Sequence, residues 1–478
     1  MSELEQPREN VQAHLKEVQD LLRRQSLVET LVHRQDMPRH DLVEDLVHRQ
    51  HIAELTQKLE ELHPADIAYI LEALPVDERL FVWDLVKAER DGEILLEVSD
   101  AVRESLIETM AHEELKAAAE QLDADELADL APDLPDAVME DVYLSLDVEE
   151  RAQLRAAMSY PEGTVGALMD FDMVTVREDV RLEVVLRYLR RFTELPDHTD
   201  KLYVVDRNEA VRGVLSLGRM LVCDPEALVS EIMDDDPLLL RPDDKAEDAA
   251  TAFERYDLVS APVVSSDDRL IGRVTVAAVV DYIREESEVE LLNQAGLREE
   301  EDIFAPVLDS VRNRWAWLAV NLVTAFIASR VIGVFEGAIE KLVALAALMP
   351  IVAGIGGNSG NQTITMIVRA MAVGQISHES GNRLLKKEVG VALINGLVWG
   401  GLLGVMAWLL YSNAELGLVM TLATTLNLLL AASMGVIIPT TMQRLGRDPA
   451  LGASVMITAC TDSGGFFIFL GLASIFLL

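Results

Sequence analysis

The pattern of apolar and polar positions changes near residue 160 and again near residue 311. Before the first change, apolar residues recur at helical spacing, and prolines and glycines divide the chain into segments of roughly 8 to 16 residues. Segments such as ADIAYILEALP and DELADLAPDLP share an acidic start, an apolar face and a terminal proline. The pattern predicts an all-α stack of short helices over residues 51–159, whose acidic first turns suit the helix dipole.

A near-duplicate precedes this stack. LVETLVHRQ begins at Leu27 and LVEDLVHRQ at Leu42, a period of 15 residues, which is close to four helical turns. The Leu-Val pairs therefore recur on nearly one face. We predict a helical N-terminal extension over residues 1–50, in which His33 and His48 are polar surface residues rather than metal ligands.

Residues 160–278 have a different period, because short apolar runs of strand character alternate there with helical stretches. The order strand, helix, strand, turn, strand, helix occurs twice, in ALMDFDMVTVREDVRLEVVLRYLRR…KLYVVDRNEAVRGVLSL and in IMDDDPLLLRPDDKAEDAATAFERYDLVSAPVVSSDDRLIGRVTV. These segments resemble paired cystathionine-beta-synthase-type (CBS) regulatory domains. The resemblance implies an α/β pair, of which the second copy is the more typical.

Five long apolar runs follow an acidic helical link over residues 279–310. They lie at about 315–334, 342–368, 389–410, 416–438 and 450–478, and each is long enough to cross a bilayer as a helix. We therefore expect a multidomain protein that ends in an α-helical transmembrane domain with five spans, residues 311–478. An odd number of spans places the two ends of the chain on opposite sides of the membrane.

Charge divides the chain at the same place. Residues 1–310 hold 31 Lys and Arg against 74 Asp and Glu, a net charge of −43, whereas residues 311–478 hold 10 against 7, a net charge of +3. A wholly soluble enzyme is excluded by the apolar part, and nucleic-acid binding by the acidic part, which repels phosphate. The first residues lack a cleaved-signal pattern, and basic residues border the spans on the N-terminal side. We expect a multi-pass protein of a bacterial-type plasma (inner) membrane, with the N-terminus cytoplasmic and the C-terminus outside.

Asp462 is the only carboxylate deep inside a predicted span. An acid at this depth costs about 2.5 to 3.5 kcal/mol, so it must face a partner or water. It is either a structural carboxylate, protonated or paired with a base such as Arg330, or part of an ion pathway. A stripe of small and polar residues at helical spacing around it favours a pore face: Ser454, Thr458, Thr461 and Gly465.

The second apolar run has complementary chemistry. Its segment PIVAGIGGNSGNQTIT holds Pro350, the glycines Gly354, Gly356, Gly357 and Gly360, and the polar residues Asn358, Ser359, Asn361 and Gln362. We expect the proline and the glycines to interrupt the helix, which a membrane tolerates where backbone lines a wet cavity. Tight helix packing is the alternative for the glycines. The polar residues favour an ion pathway.

Neutral oxygen donors with one carboxylate, and no Cys or His at this depth, favour a hard cation. Magnesium binds oxygen, prefers octahedral geometry and gives up water reluctantly, so a roomy polar site with one or two carboxylates suits its hydrated ion. A two-fold homodimer would bring two copies of Asp462 around one axis and double the negative charge that acts on the ion.

Two of these segments, LMPIVAGIGGNSGNQTITMIVRAMAVGQI and GRDPALGASVMITACTDSGGFFIFLGLA, resemble the membrane signatures of the MgtE family of magnesium channels. LHPADIAYILEALPVDER and LDADELADLAPDLP are similar to its N-terminal helical domain, and the match extends from about His51 to the C-terminus. The resemblance implies a homodimeric Mg2+ channel whose cytosolic domains bind Mg2+ and close the pore when internal Mg2+ is high. It also implies that Asp462 binds the ion in the pore, and that residues 279–297 form a connecting, plug-like helix at the pore mouth.

The acidic part gives an independent case for a Mg2+ sensor, because divalent cations shared between facing acidic surfaces would relieve their repulsion. Asp125 and Asp129 lie one helical turn apart and match acidic positions of the family. Further candidate metal ligands lie in the last loop and on the link: Asp448, Glu285, Glu286, Glu288 and Glu290. For any one of these acids, a solvated helix face is the alternative.

Three departures from the family pattern bear on regulation. The second CBS copy has Ala277 and Ala278 where two aspartates are usual, and the link has its acids shifted to Glu288 and Glu290. The first copy has Arg219 in the region where an aspartate that could hold a ribose is common. We therefore expect gating by Mg2+ to use different ligands or to be weaker, and ATP binding is doubtful.

These features predict a homodimeric Mg2+ uptake channel in a lipid bilayer, a transport protein and not an enzyme, with Mg2+ as transported and regulatory ion. One alternative is a proton- or sodium-coupled divalent-cation exporter, in which Asp462 alternates between protonated and metal-bound states. Another is a nucleotide-responsive CBS sensor that the membrane part only anchors.

Overall fold

The computed structural model describes residues 11–24, 40–295, 297, 302–372, 381–445 and 452–478. They form two compact units. The first comprises Met1–Glu286 together with Asp302–Ala305, and the second comprises Ser287–Glu301 and Pro306–Leu478.

Short helices account for the first part of the first unit. They are α1 (residues 11–24), α2 (His40–Glu60), α3 (Pro64–Glu72), α4 (Val76–Trp83), α5 (Asp91–Glu97), α6 (Asp100–Ile107), α7 (His112–Ala119), α8 (Ala124–Leu130), α9 (Asp136–Ser145) and α10 (Val148–Ala157). Their apolar faces meet in one core, to which Ile67, Ile94, Leu106 and Val142 contribute fully buried side chains. The predicted all-α part is confirmed. The first repeat copy, at Leu27, lies outside the described residues, and the second lies within α2.

The rest of the first unit is mixed. It contains β1 (Thr175–Arg177), α11 (Leu182–Leu189), β2 (Lys201–Val205), β3 (Val211–Ser216), α12 (Leu217–Val222), α13 (Val229–Ile232), α14 (Ala246–Tyr256), β4 (Ser260–Val264) and β5 (Leu270–Thr275). β1 pairs with β2 in parallel, β2 with β3 antiparallel, and β4 with β5 antiparallel. The α/β prediction is confirmed.

The strand predicted around LLLRP is reduced to a single bridge between Leu240 and Val263. Leu240 donates its N–H to the Pro262 carbonyl and accepts from the Val264 N–H. Pro237 and Pro242 flank this position and have no N–H to donate, so pairing cannot extend from it.

A buried ion pair joins distant parts of the first unit. Arg79, on α4, is 0% exposed, and its two terminal nitrogens lie 2.7 and 3.0 Å from the carboxylate oxygens of Asp302. The same guanidinium also donates to the carbonyls of Leu71 and Leu74. Every charge-bearing edge of Arg79 therefore has an acceptor, as a buried charge requires.

The second unit is helical. After α15 (Val276–Ala295), which begins in the first unit, come α16 (Val307–Val334), α17 (Glu336–Lys341), α18 (Ala344–Ala372), α19 (Gly381–Asn395), a π-helical turn (Gly396–Gly400), α20 (Gly401–Tyr411), α21 (Ala414–Arg444) and α22 (Ala453–Phe476). α15 covers most of the predicted connecting helix.

Among the described residues, four helices are long and apolar enough to cross a membrane: Val307–Val334, Arg383–Tyr411, Ala414–Arg444 and Ala453–Phe476. They correspond to the first, third, fourth and fifth predicted spans. The second predicted span forms α18, which has 29 residues but a polar centre that lowers its hydropathy. Its crossing of the membrane stays a prediction.

α21 lies at the centre of the second unit, in contact with α18, α19, α20 and α22. Glycines allow the closest of these approaches. A Cβ on Gly404 would lie 2.5 Å from the Gly417 carbonyl oxygen, and one on Gly400 would lie 2.9 Å from the Thr421 carbonyl oxygen. Helices in lipid commonly associate through small residues, which let their backbones approach closely.

Candidate ion pathway and acidic regulatory site

The predicted interruption of the second span is wrong, because α18 is one continuous helix with Pro350 inside it. Three of its four glycines serve packing instead, and a Cβ on Gly354 would have no neighbour within 4 Å among the described residues. A Cβ on Gly356 would overlap Asn427, one on Gly360 would overlap Ile457, and one on Gly357 would lie 3.6 Å from the Thr461 hydroxyl. One face of α18 is therefore a contact surface for α21 and α22.

The opposite face of α18 carries the polar residues. Gly354, Asn358 and Gln362, at successive helical turns, are exposed, and Asn361 beside them is half-buried. The rest of the described chain leaves the side chains of Asn358 and Gln362 uncovered and covers that of Asn361 in part. Amide oxygens are suitable donors for a hard cation or its bound water.

The polar stripe of α22 divides between two faces. Thr461 is fully buried and donates its hydroxyl to the Ile457 carbonyl, so it packs inward. Ser454 and Asp462 are half-buried and Thr458 is exposed, at four-residue spacing on the other face. The Thr458 hydroxyl donates to the Ser454 carbonyl, which leaves its oxygen as an acceptor.

α18 and α22 pack against each other, so the unit presents two polar helix faces from adjacent helices. Asp462 is the carboxylate on these faces. Arg330, the base considered as its partner, instead lies over the ring of Phe326 on the same helix, 4.9 Å from the ring centre. This contact favours an ion pathway over a structural ion pair for Asp462.

A buried carboxylate in a candidate span escaped the sequence analysis. Glu388, in the second turn of α19, is 4% exposed, and its Oε1 lies 3.2 Å from Lys387 Nζ without hydrogen-bond geometry. In the sequence it stands just before the third predicted span, beside Lys386 and Lys387. Its burial follows from its place between Leu385 and Ala392, which both face other helices.

Acidic residues of the first unit gather around α8. Burial, together with the nearby Asp170 charge, raises the pKa of Asp125 to about 7. Asp129 is more exposed, yet partial desolvation still raises its pKa to about 6, against the opposing charge of Arg103 and with the help of Glu285. The two acids that the sequence singled out therefore hold protons unusually well, which means that the site disfavours uncompensated negative charge.

Of the other predicted metal ligands, Glu285 lies near enough to Asp129 to raise its pKa, and the rest lie further along α15 or outside the description. Glu285, Glu286 and Glu288 are exposed on α15. The side chain of Glu290 and the whole of Asp448 lie outside the described residues. Within the described part of the chain, no group of three or more His, Cys, Asp or Glu side chains is arranged to hold a metal ion. The acids around α8 repel one another without forming a closed set of ligands.

The raised pKa values lead to a prediction about stability. In the folded state Asp125 and Asp129 keep protons that the same groups in the unfolded chain release above the ordinary pKa near 3.8. The contribution of these two groups to the free energy of unfolding therefore falls as pH rises from about 4 to about 7. We expect the full-length double variant Asp125→Asn/Asp129→Asn, in chelator, to unfold at a higher temperature than the unsubstituted chain at pH 7.5 and to lose this advantage at pH 4.5. Each kcal/mol of difference in the free energy of unfolding corresponds to a shift of roughly 2–4 °C in the melting temperature.

This difference is measured by heating both proteins in detergent. Cleavage of the first unit by protease reports at each temperature how much of it has unfolded. Mg2+ at pH 7.5 should raise the melting temperature of the unsubstituted chain more than that of the variant. Identical pH profiles for the two proteins would contradict the assignment of buried charge to α8.

Comparison with known proteins matches three parts of the chain to family models. The model of the MgtE divalent cation transporter matches residues 349–472, that of the MgtE intracellular N domain residues 62–163, and that of the CBS domain residues 229–285. A magnesium transporter MgtE of Thermus thermophilus is 32% identical over 430 residues, which are 88% of this chain and 95% of that protein. The chain belongs to the MgtE family.

Another MgtE, the magnesium transporter of Bacillus subtilis, is 25% identical over 426 residues, 89% of this chain and 94% of its own. Among solved structures, the cytosolic domain of the Mg2+ channel MgtE in complex with ATP is 32% identical, with a TM-score of 0.46. It covers 50% of this chain, and 98% of its own length is matched. The MgtE membrane model spans both polar helices, α18 and α22.

Proposed function

We propose that this member of the MgtE family is a channel for Mg2+ uptake across the plasma membrane, regulated by cytosolic Mg2+. The observation that carries the proposal is the pair of polar faces on α18 and α22, with Asp462 on one and Asn358 on the other. A carboxylate in an apolar span is unfavourable, so its presence there needs a functional reason. Binding a cation as it passes through the membrane is such a reason.

The chemistry of these faces supports magnesium as the ion. The side chains are a carboxylate, amides and hydroxyls, all of them oxygen donors, and no His takes part. Mg2+ keeps several of its waters when few carboxylates are present, so uncharged oxygens that bind those waters suit it. The Thermus thermophilus and Bacillus subtilis relatives are both named magnesium transporters.

A homodimer completes the site in this proposal. One chain supplies a single carboxylate on its polar faces, and the described residues of the second unit cover these faces only in part. A two-fold axis beside α22 would close the pathway and bring two Asp462 carboxylates to one ion. Cyclic dimers are the commonest closed assemblies.

Regulation rests on the acids around α8. At neutral pH and low cation concentration, Asp125 and Asp129 crowd against Asp170 and Glu285, and their repulsion disfavours compact packing. Bound Mg2+ would neutralise this charge and stabilise the compact state, which we assign to the closed channel. Asp448 and the acids of α15 are proposed as further ligands near the pore.

The remaining assignments follow from the same proposal. The domain limits are 1–50, 51–159, 160–278, 279–310 and 311–478, with the N-terminus cytoplasmic and the C-terminus outside. The protein is a transporter without enzymatic activity, and ATP binding by its CBS pair stays doubtful because Ala277, Ala278 and Arg219 stand where acids are usual. The comparisons give no support to a proton- or sodium-coupled exporter, which we do not propose.

Electrical recording from proteoliposomes tests the function. With Mg2+ as the only permeant cation, at equal pH on both sides and without sodium, we expect a sustained current that follows the Mg2+ gradient and the voltage. Liposomes with protein heated to unfolding serve as the control. Absence of current together with Mg2+ flux that requires a proton gradient would contradict a channel.

A further inference from the structure

An asparagine that faces away from the polar faces lies buried at the meeting point of three helices. Asn427 is in the middle of α21, within the apolar segment TTLNLLL, and is 0% exposed. Its Nδ2 donates to the Val352 carbonyl of α18 at 2.9 Å. Its Oδ1 is buried and has no hydrogen-bond partner among the described residues.

The amide occupies space that two glycines leave free. A Cβ on Gly356 of α18 would overlap Nδ2 and lie 2.9 Å from Cγ, and a Cβ on Gly465 of α22 would lie 2.7 Å from Nδ2 and 3.0 Å from Cγ. The same planar group therefore contacts the backbone of both helices that carry the polar faces. Even a methyl group at either glycine would force the helices to move.

The two glycines lie close in sequence to the residues of the pathway. Gly356 is two positions from Gly354 and from Asn358, and Gly465 is three positions from Asp462. Because α18 and α22 are rigid over such short distances, a change in the Asn427 amide would shift the two polar faces at this depth, where the helices also touch directly through Gly360 and Ile457.

An apolar residue would be the more stable choice if Asn427 only filled space. A buried amide oxygen loses its hydrogen bonds to water, and without a partner in the protein this loss of free energy is not compensated. Within a bilayer no water is present to supply the missing hydrogen bond. A leucine would avoid that loss but would lack the flat shape and the bond to Val352. The cost of this asparagine therefore indicates a role other than filling the core.

We propose that Asn427 is a positioning residue of the ion pathway, which holds α18 and α22 at the spacing that selects among divalent cations. The inference rests on the proposed function, since it assumes that Asp462 and Asn358 face the ion. Asn427 does not contact the ion and acts through the helices that do.

The test compares Mg2+ and Co2+ flux in proteoliposomes that contain the full-length chain. We expect Asn427→Ala to change the ratio of the two fluxes by about threefold, the factor that corresponds to one interhelical hydrogen bond in a membrane. Gly356→Ala alone should lose most flux, because its methyl group overlaps the amide. In the double variant Asn427→Ala/Gly356→Ala, the methyl group enters the vacated space, so flux should recover while the altered ratio persists.

Thr424→Val is the matched control. Thr424 is also 0% exposed on α21 with an unpartnered hydroxyl, but its Cβ faces Gly400 rather than the polar helices. Its flux ratio should equal that of the unsubstituted chain.

Three results would overturn the proposal. The first is an unchanged ratio in Asn427→Ala, even with lower total flux, since that identifies a packing residue. The second is a loss in Gly356→Ala that Asn427→Ala does not relieve. The third applies if Asn427→Ala does not fold: it is an unchanged ratio of Mg2+ to Co2+ flux in the double variant Asn427→Ala/Gly356→Ala. Absence of Mg2+ flux in the unsubstituted chain is a different result, which contradicts the proposed function instead.

Discussion

Asp462→Ala is expected to reduce Mg2+ flux to background while the protein still folds and forms the proposed dimer. The substitution removes a carboxylate from the polar face of α22 and also an unfavourable group from an apolar span. In a dimer two carboxylates are lost, and charged contacts of roughly 1.5–3 kcal/mol each correspond together to a factor of about 100 or more. Asp462→Asn keeps the size and one oxygen but loses the charge, so its flux should fall steeply as well.

Flux is measured in proteoliposomes with a Mg2+-sensitive dye, normalised to the amount of folded protein. Glu415→Ala is the matched control, because Glu415 is an acid in the first turn of α21, at the end of a span. It should conduct normally. Unchanged flux in well-folded Asp462→Ala would contradict the assignment of the pathway to the polar faces of α18 and α22.

Removal of residues 1–278 is expected to give a channel that internal Mg2+ inhibits less. The deletion takes away the acidic surfaces whose bound ions, in the proposed mechanism, hold the closed state, and it keeps most of α15 and all of the membrane helices. The more conservative Asp125→Asn/Asp129→Asn should raise the Mg2+ concentration needed for inhibition by about tenfold, equal to roughly 1.4 kcal/mol.

Current through inside-out patches, recorded while Mg2+ on the cytosolic face is varied, measures this inhibition. Asp136→Asn/Glu140→Gln is the matched control: both residues lie on α9, one turn apart, and both are exposed. This control should be inhibited like the unsubstituted chain. If the deleted protein is still inhibited at the same concentration, the sensor lies elsewhere, in the loops or the pore.

The helical part, the α/β part and most of the membrane helices could be predicted from the sequence, because each depends on local periodicity, whereas the CBS assignment rested on a resemblance. Apolar residues at helical spacing gave the stack of α3 to α10, and apolar length gave four of the spans. Asp462 was also identifiable, since an acid in a long apolar run is conspicuous. The acids of α8 were found by their match to the family, and their raised pKa values depend on tertiary burial that no local pattern reveals.

Features that depend on neighbouring helices could not be predicted in this way. Pro350 and the glycines of α18 have the composition of a broken helix, but Asn427 and Ile457 fill the grooves that the glycines create, and the helix continues. Asn427 itself is a single polar residue among leucines, and only the structure places it between Gly356 and Gly465. Glu388 has the sequence surroundings of a surface residue and is nevertheless buried.

The buried pair of Arg79 and Asp302 has a consequence for work on soluble fragments. Asp302 comes after α15 in the chain, so a fragment that ends with the CBS pair or with α15 lacks it, although it belongs to the same compact unit. Arg79 would then keep its buried charge without a counter-ion, a change that costs about 3–5 kcal/mol. Such a fragment would be less stable than the same residues within the full chain, and its ligand affinities would include the cost of reordering α4. A fragment that reaches Ala305 retains the pair.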